Sequence, residues 1–383
     1  MKLHYFKEYH KKLPHIVKFS GGRSSGFLLL NMLERGYLNS SRGDVVIFNN
    51  TSAEHPKTYE FVRKCKYECE KYDIPFFILE FQTYEDCKNG IYNRFKTYRL
   101  VNEFPYSEEN PNGYRHKGEV FEEMVSWQMY LPNVMSRICT KNLKTDVTEM
   151  FLDDWLLGFS YIDQQGHYGK SSRILLDELY AQHIRNGGGV PFEIFKKKKE
   201  YVLNCPIQRK KQYFKDFTKA SINNQNIYVN NEIEYNSFIG FRYDEPHRIE
   251  RMLRRNNLQK EEISYIKEKN EHIYMPLIDN KITQKEIKEF WDGYKWDLGL
   301  PYDGTLGNCV FCFMKGNKLY NIKDVKNEFS PLNIDWWIYM EEKYQRDLLA
   351  EGREKSSDNS NDFVNFFGVD KNLSYKKIKE NRK

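Results

Sequence analysis

The sequence predicts an α/β protein built on a parallel sheet, and two observations carry that reading. A short apolar run at 15–19 leads through a glycine-rich turn into an apolar stretch of helical length at 26–35. Beyond it, apolar runs at 44–48 and 74–79 flank a helical stretch at 58–71. Strands spaced by helices of this length have the rhythm of βαβ units, whose crossovers lay strands parallel.

The later elements follow in order. Residues 119–130 and 143–157 read as helices, the second with Asp153, Asp154 and Trp155 near its end. Residues 160–200 are irregular, with Gly187-Gly188-Gly189 ahead of a lysine run at 196–199, and read as part of a surface insertion over 155–230. Strand character returns at 235–242. Thr283 is expected to cap a helix over 283–294, with Glu286 at its third position completing a capping box. A last amphipathic helix is predicted over 335–350, followed by a polar linker at 356–362 and a lysine-rich end. The expected organisation is one domain over 1–335, with a C-terminal helix and basic tail over 336–383.

Composition narrows the function classes. A chain of 383 residues suits one large domain or two ordinary ones. Sixty Lys and Arg against 54 Asp and Glu leave +6, which permits nucleic-acid contact without demanding it. Aromatics at 16% offset a modest apolar content, because each buries a large area. No run approaches the ~18 apolar residues of a membrane span. Residues 1–15 lack the apolar stretch of a signal peptide. Seven cysteines are too sparse for a disulfide scaffold, and an odd number suits a reducing compartment. A cytoplasmic protein without membrane partners is expected.

The turn Ser20-Gly21-Gly22-Arg23-Ser24-Ser25 joins the first strand to the first helix. Two glycines let the backbone turn tightly and approach a ligand, and the serines add donors. The helix behind them offers unpaired N–H groups and a positive dipole end, a cradle for pyrophosphate. It is neither a Walker loop nor the Gly-x-Gly-x-x-Gly pattern. The alternative is a glycine pair that merely closes a strand–helix connection.

Further blocks occur in order: Asn50-Thr51-Ser52-Ala53-Glu54, then Arg137-Ile138-Cys139-Thr140-Lys141-Asn142-Leu143-Lys144, then Gly240-Phe241-Arg242-Tyr243-Asp244-Glu245-Pro246-His247-Arg248. Met275-Pro276-Leu277 and Gly307-Asn308-Cys309-Val310-Phe311-Cys312 complete the series. Together with the first loop, these resemble the phosphoadenosine phosphosulfate reductase-like branch of the PP-loop ATP pyrophosphatases, over about residues 15–325. The resemblance implies a Rossmann-like parallel sheet with helices on both faces. It also implies ATP on the loop 20–25, with adenine and ribose read near Asn50, Thr51 and Glu54. One departure stands out: many PP-loop enzymes carry Asp before the last loop serine, where this chain has Ser24.

Arg242 and Arg248 flank Asp244 and Glu245. Guanidinium groups bind phosphate oxygens bidentately, which suits a triphosphate, and Lys144 could neutralise a further phosphate. Asp244 or Glu245 could ligand Mg2+. A solvated turn with internal ion pairs is the alternative. Arg251, Arg254 and Arg255 follow and read as a solvated helix face. Cys309 and Cys312 have the spacing to grip one Zn2+ or one four-iron cluster. The resemblance suggests Cys139 as a third ligand, and Cys205 stands in for a fourth. Buried thiols or a redox pair are the alternatives. Cys65, Cys69 and Cys87 read as core residues.

The expected activity is cleavage of ATP between its α and β phosphates, which adenylates an acceptor for sulfur incorporation, as in DNA phosphorothioation or tRNA thiolation. The expected partners are a sulfur donor such as a cysteine desulfurase, and DNA or tRNA. The alternatives are a sulfonucleotide reductase, or a non-catalytic nucleotide- or DNA-binding module of a phage-defence or modification system.

Overall fold

The computed structural model describes residues 1–86, 93–157, 228–229, 232–246, 248, 250, 264–325, 328–347, 352, 360–370 and 373–382. Most of the expected insertion lies outside these residues. So do Cys87, Cys205, His247, Arg251, Arg254, Arg255 and most of the polar linker.

Strands β1 (His15–Phe19), β2 (Val45–Asn50) and β3 (Phe76–Asp86) alternate with helices α1 (Arg23–Glu34) and α2 (Pro56–Glu70). The long strand β4 (Asn93–Pro105) and short β5 (Gly113–Tyr114) follow. Then come α3 (Glu119–Gln128), a π-helical turn at Lys141–Thr145, and α4 (Asp146–Leu157). After the two-residue strands β6 (Tyr228–Val229) and β7 (Glu232–Ile233) come β8 (Tyr235–Ile239), β9 (Tyr265–Glu268) and β10 (Glu271–Tyr274). Helices α5 (Gln284–Gly293) and α6 (Ile334–Tyr344) lead to β11 (Arg346–Asp347), β12 (Ser360–Asn365), β13 (Gly368–Asp370) and α7 (Tyr375–Glu380).

Eight strands form one sheet in the order β5-β4-β3-β2-β1-β8-β10-β9. The five central strands, β3-β2-β1-β8-β10, are mutually parallel, and β4 and β9 run antiparallel at the flanks. Side chains alternate across the sheet, so neighbouring residues feed different cores. Ile16, Val45, Ile47, Phe77 and Leu79 face α3, α4 and α6 through Phe121, Met124, Phe151 and Trp337. Val17, Val46, Phe48, Phe76 and Ile78 face α1, α2 and α5 through Leu28, Phe61 and Trp291. Helices therefore cover both faces, and the architecture is a Rossmann-like α/β sheet. Among the described residues no helix is long and apolar enough to cross a membrane.

Strand order reverses between β1 and β8, because β2 lies on one side of β1 and the later strands lie on the other. Loops leaving the carboxyl ends of these two strands diverge to opposite faces and open a crevice, where ligands of such sheets bind. The glycine-rich turn leaves β1 there, and the Gly240–Arg248 block leaves β8 there.

The C-terminal elements join the main core. Trp336, Trp337, Phe366, Tyr375 and Ile378 are buried in the same cluster as α3 and α4. The Tyr375 hydroxyl donates to the Phe311 carbonyl, and Tyr375 N donates to Glu341 Oε2 at 2.8 Å. The tryptophan pair of α6 is thus packing surface turned inward.

The β9–β10 edge buries a polar network. His10 bonds the Tyr274 hydroxyl, and its ring centroid lies 4.0 Å from that of His272. His272 pairs with Glu234 Oε2 at 2.6 Å and with the Tyr265 hydroxyl at 2.8 Å. Burial holds the His10 pKa down at about 4 and also lowers those of His272 and His15. Their folded pKa values lie below the ordinary ~6.5, so the unfolded chain binds more protons in acid. This stabilisation is complete above about pH 6.5 and is lost as pH falls toward 4. Thermal melts should show stability falling from pH 7.5 to pH 5, and His10→Gln should shrink that fall. An unchanged pH dependence in the variant would contradict the assignment.

Candidate functional site

The site begins with the turn after β1. Gly21 has φ +73°, in the left-handed region, and a Cβ there would stand 2.8 Å from Thr58 Cγ2. Glycine is the residue that meets both constraints. Gly22 is extended backbone, φ −108° and ψ 163°, and it is the N-cap of α1 with no side-chain cap bond. The first helical bond is Gly26 N to Gly22 O at 2.9 Å, which leaves the N–H groups of Arg23, Ser24 and Ser25 without intrahelical acceptors. The serines close the turn: Ser20 N donates to Ser25 Oγ at 3.2 Å, and Ser25 Oγ donates to Gly22 O at 2.9 Å.

The loop after β8 lies directly on this helix end. A Cβ on Gly240 would stand 2.9 Å from Ser25 Cα and 3.0 Å from Ser25 N, so the two backbones meet where only a hydrogen fits. That contact carries Arg242 to the mouth of α1, where its Nη1 donates to Ser24 Oγ at 3.1 Å. Asp244 accepts from Arg242 Nε at 2.8 Å and from Gln284 N, the first residue of α5, at 3.0 Å. Glu245 accepts from Arg242 N at 3.1 Å and pairs with Arg248 Nη1 at 3.3 Å. Both carboxylates are engaged in holding arginines. The expected capping box is present, with Thr283 and Glu286 bonded reciprocally, and it fixes α5 against this loop.

Between these loops lies a cleft of about 590 Å³, lined by Ser20, Gly21, Gly22, Arg23 and Ser24 on one side and by Arg242, Glu245 and Arg248 on another. That volume suits a small organic ligand. A third wall comes from 301–304, from Gly307 and Asn308, and from Met314, Lys315 and Lys318 after the cysteine pair. Arg23 lines the cleft but is committed elsewhere. It forks onto Asp297 with two bonds of 2.6 Å and stacks 3.8 Å from the Tyr302 ring centroid.

Asn50, Thr51 and Glu54 are buried and absent from the cleft lining. Asn50 Nδ2 donates to Glu80 Oε1 and to the Arg115 carbonyl, both at 2.7 Å. Thr51 Oγ1 donates to Glu54 Oε1 at 2.7 Å and lies 3.2 Å from Cys309 Sγ. Val310 N donates to Ala53 O at 2.9 Å, and Glu54 bridges Cys309. This block clasps the cysteine pair instead of facing the cleft.

Burial pushes the Cys309 thiol up to about 12, with Glu54 and Cys312 adding to it. Burial also raises the Cys139 thiol, with Cys312 second, while Lys144 and Arg137 oppose the rise. Cys139, Cys309, Cys312 and Lys144 thus share one neighbourhood behind the cleft. Among the described residues, however, no three His, Cys, Asp or Glu side chains converge as a metal-ligand set. The three thiols as placed do not fit a closed zinc or cluster site, and Cys205 lies outside the described residues. Cys65 and Cys69 are buried in the core face of α2, as expected.

Sequence reasoning passed over Lys315 and Lys318. Their one signal is a pair of lysines within six residues of Cys312, in Met314-Lys315-Gly316-Asn317-Lys318. Burial lowers the Lys315 pKa to about 8.

The fold and cleft together define a class: a Rossmann-like α/β protein with a basic crevice at its topological switch point. No protein-family model matches the chain, and it has no match among curated proteins or solved structures.

The two loop glycines should part company on substitution. Gly21→Ala should cost about 1–3 kcal/mol, from a left-handed backbone plus contact with Thr58. Gly22→Ala should stay within about 0.5 kcal/mol. Denaturant unfolding of both variants measures the contrast, and equal losses would contradict it.

Proposed function

We propose that the protein is a PP-loop ATP pyrophosphatase of the phosphoadenosine phosphosulfate reductase-like type. MgATP binds with its phosphates against residues 20–25 and Arg242. An acceptor oxygen, on DNA or tRNA, attacks the α-phosphorus, the α–β bridging bond breaks, and pyrophosphate leaves. The acceptor is left adenylated, and a sulfur nucleophile supplied by a partner such as a cysteine desulfurase then displaces AMP.

One observation carries the reading. Two blocks 218 residues apart in sequence meet through Arg242 and Ser24 at the switch point of the sheet. One supplies uncapped helix N–H groups, and the other supplies guanidinium groups held at fixed angles. Such donors stabilise charge that builds on the leaving pyrophosphate, and their placement before substrate arrives lowers the cost of reorganisation. Asp244 and Glu245 act as positioning residues that aim Arg242 and Arg248. Magnesium would enter with the nucleotide and would supply charge neutralisation for its phosphates. No step passes through a metal at the thiols.

A Cβ on Gly22 would meet only Ser20 Oγ, at 3.6 Å, so the backbone accommodates a side chain that intrudes on the cleft. Gly22→Val should therefore remain folded and lose ATP binding, read by calorimetry beside a circular dichroism spectrum. Wild-type affinity in the folded variant would remove the assignment. Arg242→Gln should weaken ATP by about tenfold or more, because a charge-assisted bond is worth ~1.5–3 kcal/mol. The wild-type protein should release pyrophosphate from MgATP with its acceptor present, and no sulfite from either sulfonucleotide.

A further inference from the structure

Six basic side chains line the cleft: Lys18, Arg23, Arg242, Arg248, Lys315 and Lys318. Four of them face carboxylates. Lys18 pairs with Glu271, Arg23 with Asp297, Arg242 with Asp244, and Arg248 with Glu245. Each pair is close to neutral as a unit. Lys315 and Lys318 have no ion pair among the described residues. Lys315 Nζ donates to the carbonyls of Thr305 and Val310 at 2.6 and 2.8 Å, and Lys318 Nζ donates to the Asp303 carbonyl. The nearby Asp303 carboxylate is bound instead to Thr305, through N at 2.8 Å and Oγ1 at 2.6 Å. The Asp303 charge still acts on both lysines, so the third wall carries two ammonium groups against one carboxylate, a net excess of about one positive charge, while each arginine is matched by a carboxylate.

We propose that Lys315 and Lys318 form the subsite for the pyrophosphate end of the nucleotide, the β- and γ-phosphates that depart as product. This rests on the reading of the cleft as an ATP site and adds residues to it. Carbonyl partners hold an ammonium in place without cancelling its charge, which leaves that charge available to an anion. Both lysines sit on the wall built after the cysteine pair, so that segment would contribute to the nucleotide site through charge. They would hold the far end of the leaving group, while the loop and Arg242 meet it at the α–β bridge, where its charge builds.

The test uses the full chain and three probes: ATP, inorganic pyrophosphate and AMP, titrated by calorimetry. Lys318→Gln lies on an exposed side chain and should fold. It should weaken ATP and pyrophosphate alike by about threefold or more and leave AMP unchanged, and Lys318→Arg should restore both. Lys315→Gln keeps a donor for the two carbonyls and should weaken the same two ligands by about tenfold. Unchanged ATP and pyrophosphate affinity in folded Lys318→Gln would overturn the subsite while leaving the ATP site standing. So would an equal loss for AMP. A wild-type protein that binds neither ATP nor pyrophosphate would overturn both readings.

Discussion

The site depends on one close approach, that of the backbone at Gly240 to the first turn of α1 at Ser24 and Ser25. A parallel sheet whose strand order reverses must open a crevice there, but the crevice alone recognises nothing. Because Gly240 brings no side chain, the loop after β8 can lie on the helix end and place Arg242 beside Ser24. Gly21 does the corresponding work from β1, turning through a conformation that other residues resist. The geometry follows from two glycines just past the ends of adjacent strands, far apart in the chain.

Charge is organised in two tiers around that contact. The arginines are aimed by carboxylates, with Asp244 tied in turn to the N-terminus of α5. Such pairing fixes direction at the cost of net charge. The lysines of the third wall rest on carbonyls, two ammonium groups beside the single Asp303 carboxylate that lines that wall among the described residues. A polyanion entering the cleft would meet oriented donors at one end and a net positive charge at the other. This division of labour also gives Ser24 a role: it accepts from Arg242, where a carboxylate would have formed a further ion pair.

Local signals were legible and nonlocal ones were not. Strands β1, β2 and β3 and helices α1 and α2 read directly, because their apolar runs and the glycine turn are contiguous. The capping box at Thr283 was equally plain, since its two bonds join residues three apart. Strand β4 and the β9–β10 hairpin escaped notice: β4 and β9 flank the parallel core, β10 is its last strand, and they carry His272, Tyr265 and many charged residues in place of an apolar run. The amphipathic pattern at 335–350 does not say what its apolar face meets, and Trp337 packs against Phe121 and Phe366 in the core. Within the site, the loop and arginine blocks were found by motif. The resemblance puts Asn50, Thr51 and Glu54 on the ligand, yet Thr51 and Glu54 lie against Cys309 and Asn50 is bonded to Glu80 and the Arg115 carbonyl. Lys315 and Lys318 gain meaning only from their carbonyl partners and from the lack of a direct ion pair among the described residues, which no linear pattern records.

The central claim is that phosphates sit on the uncapped end of α1. Hydrogen exchange of the peptide covering residues 20–26, followed by mass spectrometry with and without MgATP, addresses it independently of turnover. The N–H groups of Arg23, Ser24 and Ser25 have no intrahelical acceptor, so they should exchange readily in the free protein and slow when phosphate oxygens accept from them. The account predicts protection concentrated in this peptide and in the one carrying Arg242. ATP binding that leaves both peptides unprotected, or that protects only another part of the chain, would contradict it.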